Sequence, residues 1–260
     1  MKSSMKTRSI FLLFLLLLLH LPAQADELRA RLEWAHTVDL RAFESGVVQE
    51  VNVLEGQSVS KGDVLVSLDP RDFQLAIQSA SAKLKQAEAV LDKAARELEW
   101  ETELYDQGLI STNELQDYSI AKLDAEARVE EAKAALATAE LARERAVIKA
   151  PFDGVVTAVR SWQGQVILKT LQQNPLIEMA ENGRMVARTR VSASNIGMYE
   201  AGQPARVLIG DRWRDGSVYR IGTISEGVLE QGVAYAVDIM FSLENGETMR
   251  PGHFCTVKIL

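Results

Sequence analysis

The sequence predicts a mainly β fold with a long inserted α-helical coiled-coil hairpin, in which a split β-sandwich and a small β-barrel are nested around that hairpin. Three observations predict it. A segment rich in valine and glycine near Gly46 returns near Gly154, as two halves of one domain would. A heptad pattern occupies the sequence between those halves. Short apolar runs separated by glycine-rich turns fill the sequence after them, which is typical of a small barrel.

The first 25 residues are predicted to be a cleavable secretory signal peptide. Three cations precede an unbroken apolar run over residues 10–19, and Ala23-Gln24-Ala25 offers a small-residue cleavage site. A membrane anchor is the competing interpretation, but the run is well short of the roughly 20 residues that cross a bilayer. We therefore expect a soluble periplasmic protein that begins at Asp26.

Composition and charge exclude several classes of function. The formal net charge is -7 and becomes about -10 without the three cations of the signal peptide, so nucleic acid is not an expected partner. Cys255 is the only cysteine, so no intrachain disulfide can form. No cluster of Cys, His, Asp or Glu has metal-site spacing, and no nucleophile with a base or phosphate-binding loop is recognisable. We expect no enzyme activity, no metal and no cofactor.

Residues 26–40 and 182–260 are predicted to form the barrel. Leu28, Ala30, Leu32 and Trp34 alternate with polar residues and would contribute one strand from the amino-terminal side. Five further strand-like runs follow residue 182, separated by glycine-rich turns. These runs are Met185–Val191, Ala205–Ile209, Ser217–Ser225, Val233–Phe241 and His253–Leu260.

Residues 41–69 and 147–181 are predicted to be the two halves of the sandwich. The stretch ESGVVQEVNVLEGQSV, which begins at Glu44, matches FDGVVTAVRSWQGQVI, which begins at Phe152, without any gap. Neither half could bury its apolar face alone, so the two halves must close on each other. The glycines that we assign to structural turns are Gly46, Gly56, Gly62, Gly154 and Gly164.

Residues 70–146 are predicted to form the coiled-coil hairpin. Asp69 and Pro70 mark the start of the first helix, Gly108 its end, and Ser111-Thr112-Asn113-Glu114 a capping box at the start of the second. Helices of roughly 37 residues would each be about 55 Å long. The heptad rows are Phe73, Ala80, Ala87 and Ala94; Ile77, Leu84, Leu91, Leu98 and Tyr105; Tyr118, Ala125, Ala132, Ala139 and Ala146; and Val129 and Leu136.

A hairpin of this length indicates reach or self-association rather than catalysis. Two helices bury only a narrow seam, and ordering so many residues is costly unless a partner covers the remaining surface. We expect several copies of the chain to associate. The alternative is a solvated structural arm.

The two halves resemble biotinyl and lipoyl domains, which are built from two related halves. In those carriers the modified lysine lies on the turn between the halves. Here that place holds Ser67-Leu68-Asp69-Pro70 followed by the hairpin, and no lysine occurs before Lys83. The resemblance therefore implies a lipoyl-like fold without the carrier function.

The chain as a whole resembles the periplasmic adaptor family, also called membrane fusion proteins or the HlyD-like family, of tripartite efflux pumps. The resemblance rests on SGVVQEVNVLEGQSVSKGDVLVSLDP, IKAPFDGVV and MRPGHFCTVKIL, and above all on their order. It implies a non-enzymatic adaptor that assembles into a ring and links an inner-membrane transporter to an outer-membrane channel. Since the chain stops at Leu260, it resembles the short form that lacks a membrane-proximal domain.

The class of transporter is inferred from the signal peptide. Adaptors of other exporters commonly retain an amino-terminal membrane helix, so a cleavable signal favours the resistance-nodulation-division (RND) class. The alternatives are an adaptor of an ABC-type or major-facilitator exporter, or a free-standing periplasmic scaffold or binding protein.

The resemblance also implies a docking site at the hairpin tip. RND adaptors carry there an Arg, a Leu four residues later and a Ser seven residues beyond that. Leu104 and Ser111 have this spacing, but Trp100 stands in place of the Arg, and residues 97–117 contain seven acids and no base. We expect Leu104 to face outward and, with Trp100, to act as an apolar anchor for a partner, while Gly108 and Ser111 complete the tip.

Overall fold

The structure is a computed structural model that describes residues 27–171, 174–229, 232–244, 247 and 249–260. The predicted signal peptide lies outside the described residues. The chain divides into two units, of which one comprises the residues up to His36 with Gly183–Leu260 and the other comprises Thr37–Asn182. Among the helices of the described ranges, none is long and apolar enough to span a membrane.

Two long helices and a series of strands make up the described part of the chain. The helices are α1 (Arg71–Asp106) and α2 (Thr112–Arg145), and a short 3-10 turn covers Ile196–Met198. The strands are β1 (Glu27–Trp34), β2 (Thr37–Leu40), β3 (Gly46–Val51), β4 (Ser58–Val59), β5 (Val64–Leu68), β6 (Val147–Lys149), β7 (Gly154–Val159), β8 (Val166–Ile167), β9 (Ile177–Glu181), β10 (Arg184–Ser192), β11 (Pro204–Ile209), β12 (Arg212–Leu229), β13 (Gly232–Ser242) and β14 (Phe254–Ile259).

The first unit is a closed antiparallel barrel with the strand order β1-β10-β13-β12-β11-β14. Each of the five predicted runs forms a strand, and the amino-terminal segment adds β1 between β10 and β14. Alternate side chains point inward, so that Leu32, Met185 and Ile239 are almost completely buried in one core. The predicted barrel is confirmed.

One domain boundary differs from the prediction. We expected the barrel to include residues 26–40, but β2 pairs with β9 and belongs to the second unit. The chain leaves the barrel at Ala35 and His36, where a bend separates β1 from β2. The alternation of apolar and polar residues continues across this bend, so the pattern alone did not reveal the change of sheet.

The second unit contains a β-sandwich of two four-stranded sheets, with the orders β2-β9-β7-β4 and β6-β5-β3-β8. Each sheet combines strands from both halves of the repeat. Leu65, Val156 and Ile177 lie in the single core that the two sheets share. The split sandwich is therefore closed by its two halves together, as predicted.

The internal repeat is expressed as a two-fold pattern of backbone hydrogen bonds. The N–H of Gly56 donates to the carbonyl of Val156 over 2.8 Å, and the N–H of Gly164 donates to the carbonyl of Val48 over 2.9 Å. These two bonds exchange roles when one half of the repeat is laid on the other. Strand pairing follows the same symmetry, because β3 pairs with β8 and β4 pairs with β7.

The glycines of the repeat have two different roles. Gly56 and Gly164 both have φ of 83° and Gly62 has φ of 94°, a region that only glycine enters at little cost. Gly46 and Gly154 are not turn residues, which corrects our assignment, because they begin β3 and β7. A Cβ on Gly154 would overlap the carbonyl oxygen of Ala180 on the neighbouring strand, so close packing of the backbone requires the glycine there.

The helices form the predicted antiparallel pair. All members of the heptad rows are buried or half-buried except Tyr105. At the base of the hairpin, Asp69 accepts a hydrogen bond from the N–H of Arg71 over 3.0 Å and forms an ion pair with its guanidinium. The Arg71 side chain lowers the pKa of Asp69 to about 2. Asp69 thus satisfies a free amide at the start of α1, as its position in the sequence indicates.

The start of α2 is a complete capping box. The N–H of Glu114 donates to the hydroxyl of Ser111 over 3.3 Å, and the N–H of Ser111 donates to the Glu114 carboxylate over 2.8 Å. The backbone bond from Ser111, followed by the bond from its hydroxyl, lowers the pKa of Glu114 because both stabilise the charged carboxylate.

Replacing Gly154 by alanine should destabilise the sandwich, whereas the same change at the equivalent Gly46 should not. A Cβ at 154 meets a backbone oxygen that cannot move freely, and such overpacking costs about 1 to 3 kcal/mol. A Cβ at 46 would have its nearest neighbour, the side chain of Leu68, at 3.4 Å. Urea unfolding of G154A and G46A measures the difference, and equal midpoints for the two variants would contradict the asymmetry.

Ser111→Ala should weaken the start of α2. The change removes the acceptor for the N–H of Glu114, and the loss of an N-cap side chain typically costs about 1 kcal/mol. Unfolding followed by far-ultraviolet circular dichroism measures this loss. Ser119→Ala is the control, because Ser119 is also exposed on α2 but bonds only to the carbonyl of Leu115 within the helix. An identical loss in both variants would argue against the cap.

The capping box should also make the stability of the hairpin depend on pH. Because the pKa of Glu114 is lowered in the folded state, its contribution is fully present above the ordinary value of 4.5 and is lost as the pH falls through the lowered value. Glu114→Gln should therefore be less stable than the wild type at neutral pH and should converge with it in acid. A difference that does not depend on pH would contradict this account.

Candidate docking site at the hairpin tip

The turn between the helices is built around Gly108. The N–H of Leu109 donates to the carbonyl of Leu104 over 2.9 Å, and the N–H of Gly108 donates to the carbonyl of Tyr105 over 2.8 Å. These two bonds form a Schellman motif, which satisfies carbonyl groups at the end of α1. Gly108 has φ of 76°, as this motif requires. Its role at the tip is to set the backbone path.

Leu104 does not lie where the sequence predicted. We expected it to face outward, but it is half-buried, whereas Tyr105 on the adjacent heptad row is 38% exposed. The heptad rows of α1 remain buried or half-buried as far as Leu98, so the departure is confined to the end of the helix, where the chain folds back at Gly108. Leu104 thus belongs to the packing of the tip.

The most exposed apolar side chains of the tip are Trp100 and Leu109. Trp100 is 62% exposed and Leu109 is 66% exposed. Sequence reasoning identified Trp100 but missed Leu109, because that residue lies in the turn and outside any heptad row. The available signal was a large aliphatic residue directly after the glycine of a two-helix turn. Two exposed anchors therefore flank the end of α1.

The hydroxyl of Ser111 is already engaged in hydrogen bonds within the tip. Its hydroxyl donates to the Glu114 carboxylate over 2.9 Å in addition to accepting from the N–H of Glu114. Nearby, the hydroxyls of Tyr105 and Thr112 lie 3.3 Å apart and join α1 to α2. The position of Ser111 in the family spacing is thus explained by helix capping, and its contribution to docking would be to hold the turn.

The surroundings of the tip are strongly acidic. The charge of Glu101 raises the pKa of the Tyr118 hydroxyl, and burial, a hydrogen bond to Glu101 and the charges of Glu97 and Glu114 add to this effect. Within residues 97–117 no lysine or arginine balances these acids. A partner at the tip would meet a negative surface with two apolar side chains in it.

The chemistry of a metal centre or an active site is not evident in the described ranges. No group of three or more His, Cys, Asp or Glu side chains there could hold a metal ion. The tip instead presents exposed apolar anchors on a rigid turn. These are features of a surface for macromolecular contact.

Comparison with known proteins identifies related chains. A family profile described as "RND MFP, barrel-sandwich hybrid domain" matches residues 36–179, which is more than half of the chain. The multidrug resistance protein MdtA of Pectobacterium carotovorum subsp. carotovorum is 35% identical over 120 residues, which cover 46% of this chain and 29% of that protein. MdtA of Klebsiella pneumoniae subsp. pneumoniae is 33% identical over 122 residues, which cover 47% of this chain and 30% of that protein. The similarity thus spans less than a third of the length of these relatives.

Solved structures show the same fold. The membrane fusion protein Spr0693 of Streptococcus pneumoniae R6 has a TM-score of 0.73 at 17% identity, covering 90% of this chain and 98% of that one. A MacA–MexA chimeric protein that contains the α-hairpin domain of Pseudomonas aeruginosa MexA has a TM-score of 0.69 at 24% identity, covering 90% of this chain and 78% of that one. Together with the profile match over residues 36–179, the split sandwich with its inserted hairpin shows that the chain belongs to the RND membrane fusion proteins.

Proposed function

We propose that this protein is a non-enzymatic periplasmic adaptor that links an inner-membrane efflux transporter to an outer-membrane channel. The observation that carries the proposal is a barrel-sandwich hybrid of the RND membrane fusion family whose inserted hairpin exposes Trp100 and Leu109 at its tip. Export through the periplasm needs such a connector on the periplasmic side, which agrees with the predicted signal peptide.

The base of the hairpin supports a mechanical role. β5 leads into α1 and β6 follows α2, and these two strands pair directly, with Ser67 opposite Val147. Phe73 of α1 packs against the sandwich core, of which Ala146 at the end of α2 is a part. Both ends of the hairpin are therefore anchored in one sheet. A force applied at the tip would be transmitted to the sandwich.

The tip supports docking through apolar anchors. Aromatic and aliphatic side chains in a desolvated pocket contribute most of the binding energy in many interfaces. Trp100 and Leu109 are the residues available for this role, while Gly108, Leu104 and Ser111 hold the turn that presents them. Because the tip is acidic, its partner surface would be neutral or basic.

Self-association into a ring is part of the proposal. Along the hairpin, Leu75, Ile120 and Leu123 are 62%, 56% and 65% exposed. Apolar side chains at these levels of exposure, away from the tip, are favourable contacts for neighbouring copies of the hairpin. A ring would cover them and stabilise helices that bury only a narrow seam alone.

The family match favours an RND transporter as the inner-membrane partner. The relatives named for multidrug resistance support a role in the export of toxic small molecules. An ABC-type or major-facilitator exporter is the competing partner, and a free-standing scaffold is the competing function. Identifying the inner-membrane protein that co-purifies with the chain distinguishes these three.

A photo-crosslinking residue in place of Trp100 or Leu109 should capture an outer-membrane channel protein in cells. The control position is Glu88, which is exposed near the middle of α1. Crosslinks from position 88 should contain only other copies of this chain, and position 104 should label more weakly than position 100 because it is half-buried. Mass spectrometry of the crosslinked bands identifies the partners.

Two outcomes would overturn the docking role. Equal labelling at positions 88, 100 and 109 would show that the tip has no specific partner. Crosslinks from all three positions that contain only this chain would favour a scaffold or a tip-to-tip assembly instead of an adaptor.

A further inference from the structure

The outer face of the barrel carries a cleft lined by arginines on two neighbouring strands. In the antiparallel pairing of β1 with β10, Arg31 lies opposite Arg188 and Ala30 opposite Thr189. Ala30 and Thr189 are each 2% exposed and face the interior. The residues on either side of them therefore point outward, which places Arg29, Arg31, Arg188 and Arg190 on one surface.

The lining of this cleft has an excess of positive charge. Glu33 and Glu226 line it together with the four arginines, which leaves two positive charges in excess. Arg188 is held in two ion pairs within the barrel. Its guanidinium lies 2.7 Å from the buried carboxylate of Asp238 and 2.8 Å from the carboxylate of Glu33. Arg220 makes a second bond to Asp238, so that buried charge is compensated within the barrel.

Two of the arginines are available for a ligand. Within the described residues, Arg31 and Arg190 form no ion pair, and the guanidinium of Arg29 stacks on the ring of Phe254 at 4.0 Å. Both Arg31 and Arg190 are exposed. Uncompensated guanidinium groups on neighbouring strands suit a phosphate, which accepts bidentate hydrogen bonds from each of them.

The end of β12 forms the opposite side of the cleft. Glu226 and Leu229 line it together with residues of β1 and β10, and a Cβ at Gly227 would lie 3.9 Å from the guanidinium of Arg190. The volume of this open cleft is about 740 Å³. That is within the range of sites for small organic ligands and is far more than a single phosphate ion fills.

Two exposed apolar residues flank Glu226 along β12, and a third, on β14, lines the cleft. Ile224 and Val228 on β12 are 79% and 77% exposed, and Phe254 is 64% exposed. These few residues are too small a surface for a stable protein interface, which buries about 800 Å² on each partner. Arginines next to a few exposed apolar residues are instead typical of contact with an anionic lipid surface.

We propose that this cleft binds the phosphodiester headgroup of an anionic phospholipid, presented at a membrane surface. Arg31 and Arg190 bind the phosphate, and Ile224 and Val228 enter the boundary between headgroups and acyl chains. The net charge of -7 would repel such a surface, so the attraction is local to this face. The inference concerns the barrel alone and does not rest on the function of the hairpin tip.

Sedimentation with vesicles tests the proposal. The purified protein should bind vesicles of phosphatidylglycerol and phosphatidylcholine at low salt and should not bind vesicles of phosphatidylcholine alone. The double variant R31Q/R190Q should bind about 25-fold more weakly, because each arginine near an anionic surface contributes about fivefold. R31K/R190K keeps both charges and should retain most of the binding, while I224S/V228S should lose the part due to insertion.

The control is R206Q/R212Q, which removes the same formal charge from exposed positions on β11 and β12 outside the cleft, although Arg206 is ion-paired with Asp215. It should bind vesicles like the wild type, and all variants share residues 1–26, so any contribution from that segment cancels. Thermal midpoints measured in parallel should be unchanged, because the replaced side chains are exposed.

Three results would overturn the proposal. Equal weakening in R31Q/R190Q and R206Q/R212Q would show a general charge effect. Binding of free glycerol phosphate at the cleft without any binding to vesicles would assign it to a soluble ligand. Binding of a fluorescent tetraglutamate peptide, lost in R31Q/R190Q, without vesicle binding would assign the face to an acidic protein segment.

Discussion

The reciprocal hydrogen bonding between the two halves of the sandwich is the constraint on which the rest of the structure depends. Gly56 bonds to Val156 and Gly164 bonds to Val48, so each half completes the other although the whole hairpin separates them in the sequence. Neither half has enough strands to bury its own apolar face. Because both halves must meet, the chain between them must return to its starting point, and an antiparallel helical hairpin does this with one short turn.

The pairing of the two halves also explains how a hairpin of this length can be well ordered. β5 and β6 pair at its base, and the coiled-coil seam continues from there to the turn at Gly108. At the far end, the Schellman motif and the capping box satisfy the free backbone groups of both helices. A tip that is ordered by its own hydrogen bonds can present Trp100 and Leu109 in a defined geometry, which lowers the entropic cost of binding a partner.

Two regions of the chain carry a local excess of charge, one negative and one positive. These two regions suit different partners. The hairpin tip is acidic and carries two exposed apolar anchors, which suits a protein surface. The β1–β10 face of the barrel is basic and borders a few apolar residues, which suits a phosphate-bearing surface. The proposed adaptor would benefit from contact surfaces with distinct chemistry, since this would reduce competition between its partners.

The sequence by itself determined the elements, because their signals are local and periodic. The heptad rows located both helices, the box from Ser111 to Glu114 marked the start of α2, and the internal repeat predicted that Gly56 and Gly164 occupy equivalent positions. Only the tertiary structure decided which residues face outward at the tip, since Leu104 becomes half-buried where the chain folds back at Gly108. It also decided that Gly154 is required by the neighbouring strand β9, at Ala180. The basic face of the barrel arises in the same way, because Arg31 and Arg188 become neighbours only when β1 and β10 pair. Apart from the closure of the two repeated halves, contacts between distant segments have no signature in the sequence, and for that reason these contacts emerged only from the fold.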